Sequence, residues 1–120
     1  MSVISIRGAI TVEENTSNLI IQNTKFLLNE IINKNNIKKE NIISILFTAT
    51  NDLDEEYPAK AARDIGLVNC SLLCLQEMNV KNSLRKCIRV LMMINSHCKQ
   101  SEINHIYLKK AVDLRKDLID

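Results

Sequence analysis

No tryptophan occurs in this chain, and two phenylalanines and two tyrosines are its only aromatic residues. The core must therefore be built from Ile, Leu, Val and Met. No apolar run approaches the roughly 20 residues of a membrane-spanning helix. The N-terminus has neither the basic start nor the cleavage site of a signal peptide. Basic runs are absent as well, and a formal net charge of +2 is too slight to mark a nucleic-acid or membrane surface. The expectation is a soluble cytoplasmic protein with no nucleic-acid or membrane partner. Four cysteines are present (Cys70, Cys74, Cys87 and Cys98), but no C-x-x-C occurs, and His97 and His105 do not complete a zinc spacing. Cys70, Cys74 and Cys87 fall in or beside apolar stretches, where a free thiol behaves as a small hydrophobe. No metal is expected, and reduced thiols fit the cytoplasm. With no repeat or low-complexity segment, 120 residues make one domain over residues 1–120.

What the chain does contain is period-two alternation broken by one long amphipathic stretch. Val3 to Ile10 reads as a strand with Ile4 and Ile6 opposite Val3, Ser5 and Arg7; Gly8 then permits a bulge or a close approach to the backbone. Thr16 or Ser17 can cap a helix running to about Lys34, with Ile20, Thr24, Leu27 and Ile31 on one face and Ile21, Leu28 and Ile32 widening it. Asn35 and Asn36 tolerate the left-handed conformation that ends such a helix. Ile42 to Ala49 is apolar on both faces, as expected of an interior strand or one beneath a subunit contact. The helix between these strands suits a β-α-β crossover.

Asp52, Asp54, Glu55 and Glu56 are expected in a solvated loop ahead of a short helix, Pro58 to Asp64, with proline at its first position and its end near Gly66. Lys60 and Arg63 stand three apart on one side of that helix, which by itself is an ordinary solvated face. Ser71 to Gln76 is the next strand, Asn79 to Ser83 a turn, and Lys86 to Asn95 a long strand. A last strand is expected about His105 to Leu108, followed by a tail, including residues 115–120, polar enough to fray. The order β-α-β-α-β-β, with that last short strand, defines an α+β (mixed α/β) sheet with helices on one face. Its apolar surface exceeds what one long and one short helix can cover, which argues for an oligomer.

The stretch Cys74 to Met93 sets two opposite charges, Glu77 and Arg89, among apolar runs. On the long strand, Cys87, Arg89, Leu91 and Met93 share one face and Ile88, Val90, Met92 and Ile94 the other. A charge in such surroundings is costly unless another charge meets it. Arg89 either pairs with Glu77 or snorkels from the strand end, or it awaits an anionic ligand while Glu77 awaits that ligand's hydroxyl.

Five segments, I-R-G-A-x-T-V-E at 6–13, Y-P-A-K-A-A-R at 57–63, C-L-Q-E-M at 74–78, S-L-R-K-C-I-R-V at 83–90 and I-Y-L-K-K-A-V-D-L-R at 106–115, resemble in order the trimeric Bacillus-type chorismate mutases. The resemblance implies a homotrimer whose three sheets pack as a pseudo-α/β-barrel, with active sites at the subunit interfaces. It also implies conversion of chorismate to prephenate without a cofactor, the branch step toward phenylalanine and tyrosine. Carried over by position, it puts Arg89 beside the ether oxygen of the breaking bond. Arg7 and Tyr107 hold the enolpyruvyl carboxylate, and Glu77 with the Cys74 backbone binds the ring hydroxyl. Lys60, Arg63 and Arg115 stand at the mouth, with Tyr57, Ala59, Leu73 and Leu114 as walls. Asn82 stands where the family often has glycine, and asparagine tolerates a positive φ. A unimolecular [3,3] rearrangement needs no acid, base or nucleophile, which accords with the missing Ser-His-Asp and Cys-His arrangements. A non-catalytic trimeric module that binds a small carboxylate is the alternative of a different class, since fold does not fix function.

Overall fold

The computed structural model describes residues 1–114. Its elements are β1 (Ser2–Thr11), α1 (Ser17–Lys34), β2 (Ile42–Ala49), α2 (Ala59–Asp64), β3 (Ser71–Gln76), β4 (Cys87–Ser96) and β5 (Ile106–Leu108). Three short 3₁₀ turns, Lys39–Asn41, Gln100–Glu102 and Lys109–Leu114, link or follow them. The strands form one mixed sheet in the order β3-β2-β4-β1-β5. β4 pairs antiparallel with both β1 and β2, so those two run the same way on either side of it. β3 and β5 extend the sheet by parallel pairing with β2 and β1. The short β5 adds a fifth strand to the β-α-β-α-β-β series.

Helix α1 starts where its cap chemistry dictates: Thr16 has extended dihedrals and its Oγ1 accepts the Leu19 N–H at 3.2 Å. It stops at Asn35, and Asn36 takes φ 51°, a left-handed value asparagine tolerates. The buried stripe Ile20, Thr24, Leu27, Leu28, Ile31 and Ile32 packs on the sheet, and the Thr24 hydroxyl, fully buried, donates to the Ile20 carbonyl. At Gly8 the helix comes so close that an added Cβ would lie 2.7 Å from Ile31 Cδ1 and 3.1 Å from Val90 Cγ2. The glycine serves close approach; the β1–β4 register runs through it unbroken. α2 lies on the same side, with Ala59 and Ala62 buried in the main core.

That core is formed by Ile4, Ile6 and Ile10 of β1, Ile45 and Phe47 of β2, and Ile88, Val90, Met92 and Ile94 of β4 against the α1 stripe. Each such side chain removed from water contributes on the order of 1.5–3 kcal/mol. The alternation in β2 slips once, between Ile42 and Ser44, where the pairing with β4 shifts register. This leaves Ile43 38% exposed although its neighbours read as one apolar run. β2 is thus interior to the sheet but covered on one face only. The opposite face is covered at one end by the Lys109–Leu114 turn, whose Ala111 is buried with Ala9 and Cys87 beside Tyr107 and Leu114. Among the described residues no helix is long and apolar enough to cross a membrane.

Candidate active site

Strand registers decide which side chains meet on the face away from the helices. Ala9 of β1 is paired with both Arg89 and Tyr107, so the side chains of β4 residue 89 and β5 residue 107 share a face. Arg7, two residues before Ala9, shares it as well. Thr48 of β2 lies opposite Arg89 on one side and Leu75 on the other. Glu77, two residues beyond Leu75, continues that face past the end of β3, with its N–H bonded to the Ala49 carbonyl. Arg7, Glu77, Arg89 and Tyr107 consequently line one cavity of about 440 Å³, together with Leu46, Thr48, Leu75 and Leu91.

The charged pair is in contact across this cavity. Arg89 Nε stands 3.7 Å from Glu77 Oε1, with the side chains 47% and 21% exposed. Arg89 is therefore not the buried charge its apolar neighbours implied: those neighbours point to the helix side, and its own side of β4 is open. The pairing leaves about half of the Arg89 side chain facing solvent. Glu77 is held further by Thr48, whose hydroxyl donates to Oε1 at 2.6 Å. A second recess of about 330 Å³ on the other side of the pair is lined by Thr50, Leu84, Cys87 and Leu114 along with Glu77 and Arg89. Burial pushes the Cys87 thiol up to about 11, with Arg89 pulling part of the way back. The thiol is neutral near pH 7, so Arg89 does not face a competing thiolate.

Backbone ties fix the rest. The Arg7 N–H donates to His105 Nδ1 at 2.9 Å, which joins the start of β5 to the arginine's own peptide. Asp52, expected to be solvated, is half-buried and accepts the Lys86 N–H with both oxygens, while Thr50 Oγ1 accepts the Cys87 N–H. This loop carboxylate is a clamp at the start of the strand that carries Arg89. Asp54 does belong to the exposed loop, where its carboxylate accepts from Asn15. Asn82 takes φ 62°, as its turn requires.

The remaining site residues are not brought to this cavity. Tyr57, 69% exposed, lines a separate recess of about 430 Å³ with Pro58, Phe47 and Cys74. The Cys74 side chain packs against the main core, on the helix side of β3. Ala59 is buried in that core, so its side chain is packing within the chain and not an open wall. Lys60 pairs with Glu56 at 3.5 Å and Arg63 is exposed, both on α2. Leu73 lies on the open face, 55% exposed. Leu114 joins the Arg89–Glu77 recess, and Arg115 lies outside the described residues. Thr48, Asp52 and His105 were not picked out as site residues. The signal for Thr48 was its period-two step from Leu46, but its partner Glu77 lies 29 residues on, beyond α2 and β3.

A five-stranded mixed sheet with both helices on one face, and two arginines, a glutamate and a tyrosine over a cavity on the other, defines a small α/β domain with a charged cleft. Comparison with known proteins narrows that class. The family model described as chorismate mutase type I matches residues 3–118. The chain is 45% identical over 119 residues to chorismate mutase AroH of Bacillus subtilis (strain 168), covering 98% of this chain and 94% of that protein. It is likewise 45% identical over 114 residues to chorismate mutase AroH of Thermus thermophilus, covering 94% and 93%. A solved structure of a chorismate mutase from Clostridium thermocellum matches with a TM-score of 0.88 and 46% identity, over 89% of this chain and 96% of that one. The chain belongs to the type I chorismate mutase family.

Proposed function

We propose that the open face of the sheet is where this protein carries out the reaction of its family, the conversion of chorismate to prephenate on the way to phenylalanine and tyrosine. The observation that carries this reading is the half-exposed Arg89 guanidinium, paired with Glu77 over a cavity that also holds Arg7 and Tyr107. The rearrangement breaks one C–O bond and forms one C–C bond within a single molecule, and no proton or electron leaves it. What the chain supplies is conformation and charge. Arg7 and Tyr107 take the enolpyruvyl carboxylate, which holds that side chain over the ring. Fixing orientation in this way can contribute up to roughly 7–11 kcal/mol in favourable cases. Arg89 faces the ether oxygen. As cleavage runs ahead of C–C formation, negative charge builds there, and a fixed guanidinium stabilises the transition state more than the ground state. Glu77 accepts the ring hydroxyl as an orienting group and not as a base, beside the Cys74 backbone.

The same reading makes the site complete only between subunits. Tyr57, Lys60 and Arg63 sit around α2, away from Arg89, and would reach a neighbouring chain's cavity in a homotrimer. Leu73 and Leu75 are 55% and 45% exposed on the open face, apolar area of the kind that a subunit contact covers. Arg115 would close the mouth from the tail. The four free cysteines accord with a cytoplasmic setting.

The test is loss of chorismate absorbance with purified protein, beside Arg89→Ala at equal concentration, with the mass of both in solution. Rapid conversion by the wild type is expected, with kcat/KM for Arg89→Ala reduced by about 10²–10³-fold, the usual cost of one such donor. The trimer should persist in both. Activity that survives Arg89→Ala would overturn the mechanism while leaving the reaction.

A further inference from the structure

The Thr48 hydroxyl is the feature of this face that the reaction scheme leaves without a task. We propose that Thr48 is a positioning residue that keeps Glu77 from collapsing onto Arg89, an inference that rests on the roles given to those two residues above. Thr48 stands in the middle strand position directly opposite Arg89, and its hydroxyl donates to Glu77 Oε1 at 2.6 Å. An ionised carboxylate only accepts, so the hydroxyl proton must lie on the Thr48–Glu77 line. The oxygen that receives it is the one facing Arg89 Nε, 3.7 Å away. That separation is longer than the 2.7–2.9 Å or so of a charge-assisted N–H to O hydrogen bond.

Two consequences follow from the geometry. Oε1 is engaged by Thr48, so Oε2 is left to accept the ligand's hydroxyl. The carboxylate is also held back from the two-pronged grip that guanidinium and carboxylate otherwise favour. In that grip the arginine's donors would be spent on Glu77 and would no longer face the ether oxygen. Glu77 has little else to hold it. It follows the last residue of β3, an edge strand, and its N–H bond to Ala49 fixes the backbone and not the carboxylate.

The experiment compares Thr48→Val, which keeps the branched shape without the donor, with Thr48→Ser, which keeps the donor. Each is made in the wild type and in Glu77→Ala, with circular dichroism confirming the fold; Thr48→Ala replaces the valine variant if that one does not fold. In the wild-type background Thr48→Val is expected to lower kcat by roughly 10- to 100-fold, the range for losing a hydrogen bond to a charged group. KM should change much less, and Thr48→Ser should return kcat to within about threefold, since the hydroxyl is restored. In the Glu77→Ala background Thr48→Val should cost nothing further, since there is no carboxylate left to place. Unchanged kcat in Thr48→Val, or penalties that multiply in the double variant, would overturn the inference even where Glu77→Ala is strongly impaired. If Glu77→Ala alone kept wild-type kcat/KM, the role given to Glu77 would fail first, and this inference with it.

Discussion

The two faces of the sheet use the same strands to opposite ends. On the helix side, Ile6, Ile10, Ile45, Phe47, Ile88 and Met92 have no exposed surface. On the other side the intervening residues Arg7, Thr48, Leu46, Arg89 and Leu91 line a cavity, with Glu77 as its acid. One face carries the folding free energy and the other carries the charge, and a single-residue step along β4 moves from one to the other. This separation is why a guanidinium can sit between Ile88 and Val90 without being buried.

If that division is real, the two faces should fail differently. Phe47→Ala should be the most damaging to stability, at about 3–5 kcal/mol, because truncating a fully buried aromatic leaves a cavity in the core. Denaturant titration would measure it, and residual folded protein should retain its kcat. Arg89→Ala should show the reverse pattern in the same assay. Its activity is lost, yet stability shifts by less than about 1 kcal/mol, as for other exposed ion pairs. A large stability loss there would show that the open face also holds the fold.

Gly8 sharpens the comparison, since it lies on β1 directly after Arg7 but faces the helix. Gly8→Ala should cost about 1–3 kcal/mol through the Ile31 and Val90 contacts, with the helix displaced and kcat moved only as far as Arg7 moves with it. Thermal unfolding beside kinetics at the same temperature would separate the two.

The smallest effect is expected at the rim, where Lys109 donates to Glu13 and holds its carboxyl below the usual carboxylate range. A depressed pKa stabilises the fold above the unfolded value, near 4.5, and the contribution disappears as pH falls through the folded value. Glu13→Gln should therefore melt slightly lower than the wild type at pH 7, with the difference vanishing in acid and shrinking in high salt. A difference that grows in acid would show the sign to be wrong.

Much of this was legible in the residues themselves. Period-two alternation separated Arg89 from Ile88 and Val90, Thr16 or Ser17 marked the start of α1 (Thr16 is the cap), and Asn36 and Asn82 stood where positive φ was needed. Which face of the sheet α1 would cover was not legible, because it depends on where a helix lands and not on any local pattern. Asp52 illustrates the other failure. Acids in a polar loop are usually solvated, but this one accepts the Lys86 amide, at the start of a strand more than thirty residues on, with both oxygens. Thr48 escaped notice for the same reason, since its partner Glu77 is set by cross-strand register. Tyr57, Lys60 and Arg63, matched by resemblance, stand apart from Arg89 within one chain, a separation that no local pattern in the residues announced.

The placement of β4 has a consequence for motion. It is hydrogen-bonded along both edges, to β1 and to β2, so freeing the backbone at Arg89 means opening two ladders at once. Glu77 follows an edge strand and leads into the exposed stretch Met78–Ser83. Amides near Arg89 should exchange with solvent only in global unfolding, and those after Glu77 in small local openings. The cleft thus has a cationic wall on a stiff strand and an anionic one whose backbone is more compliant.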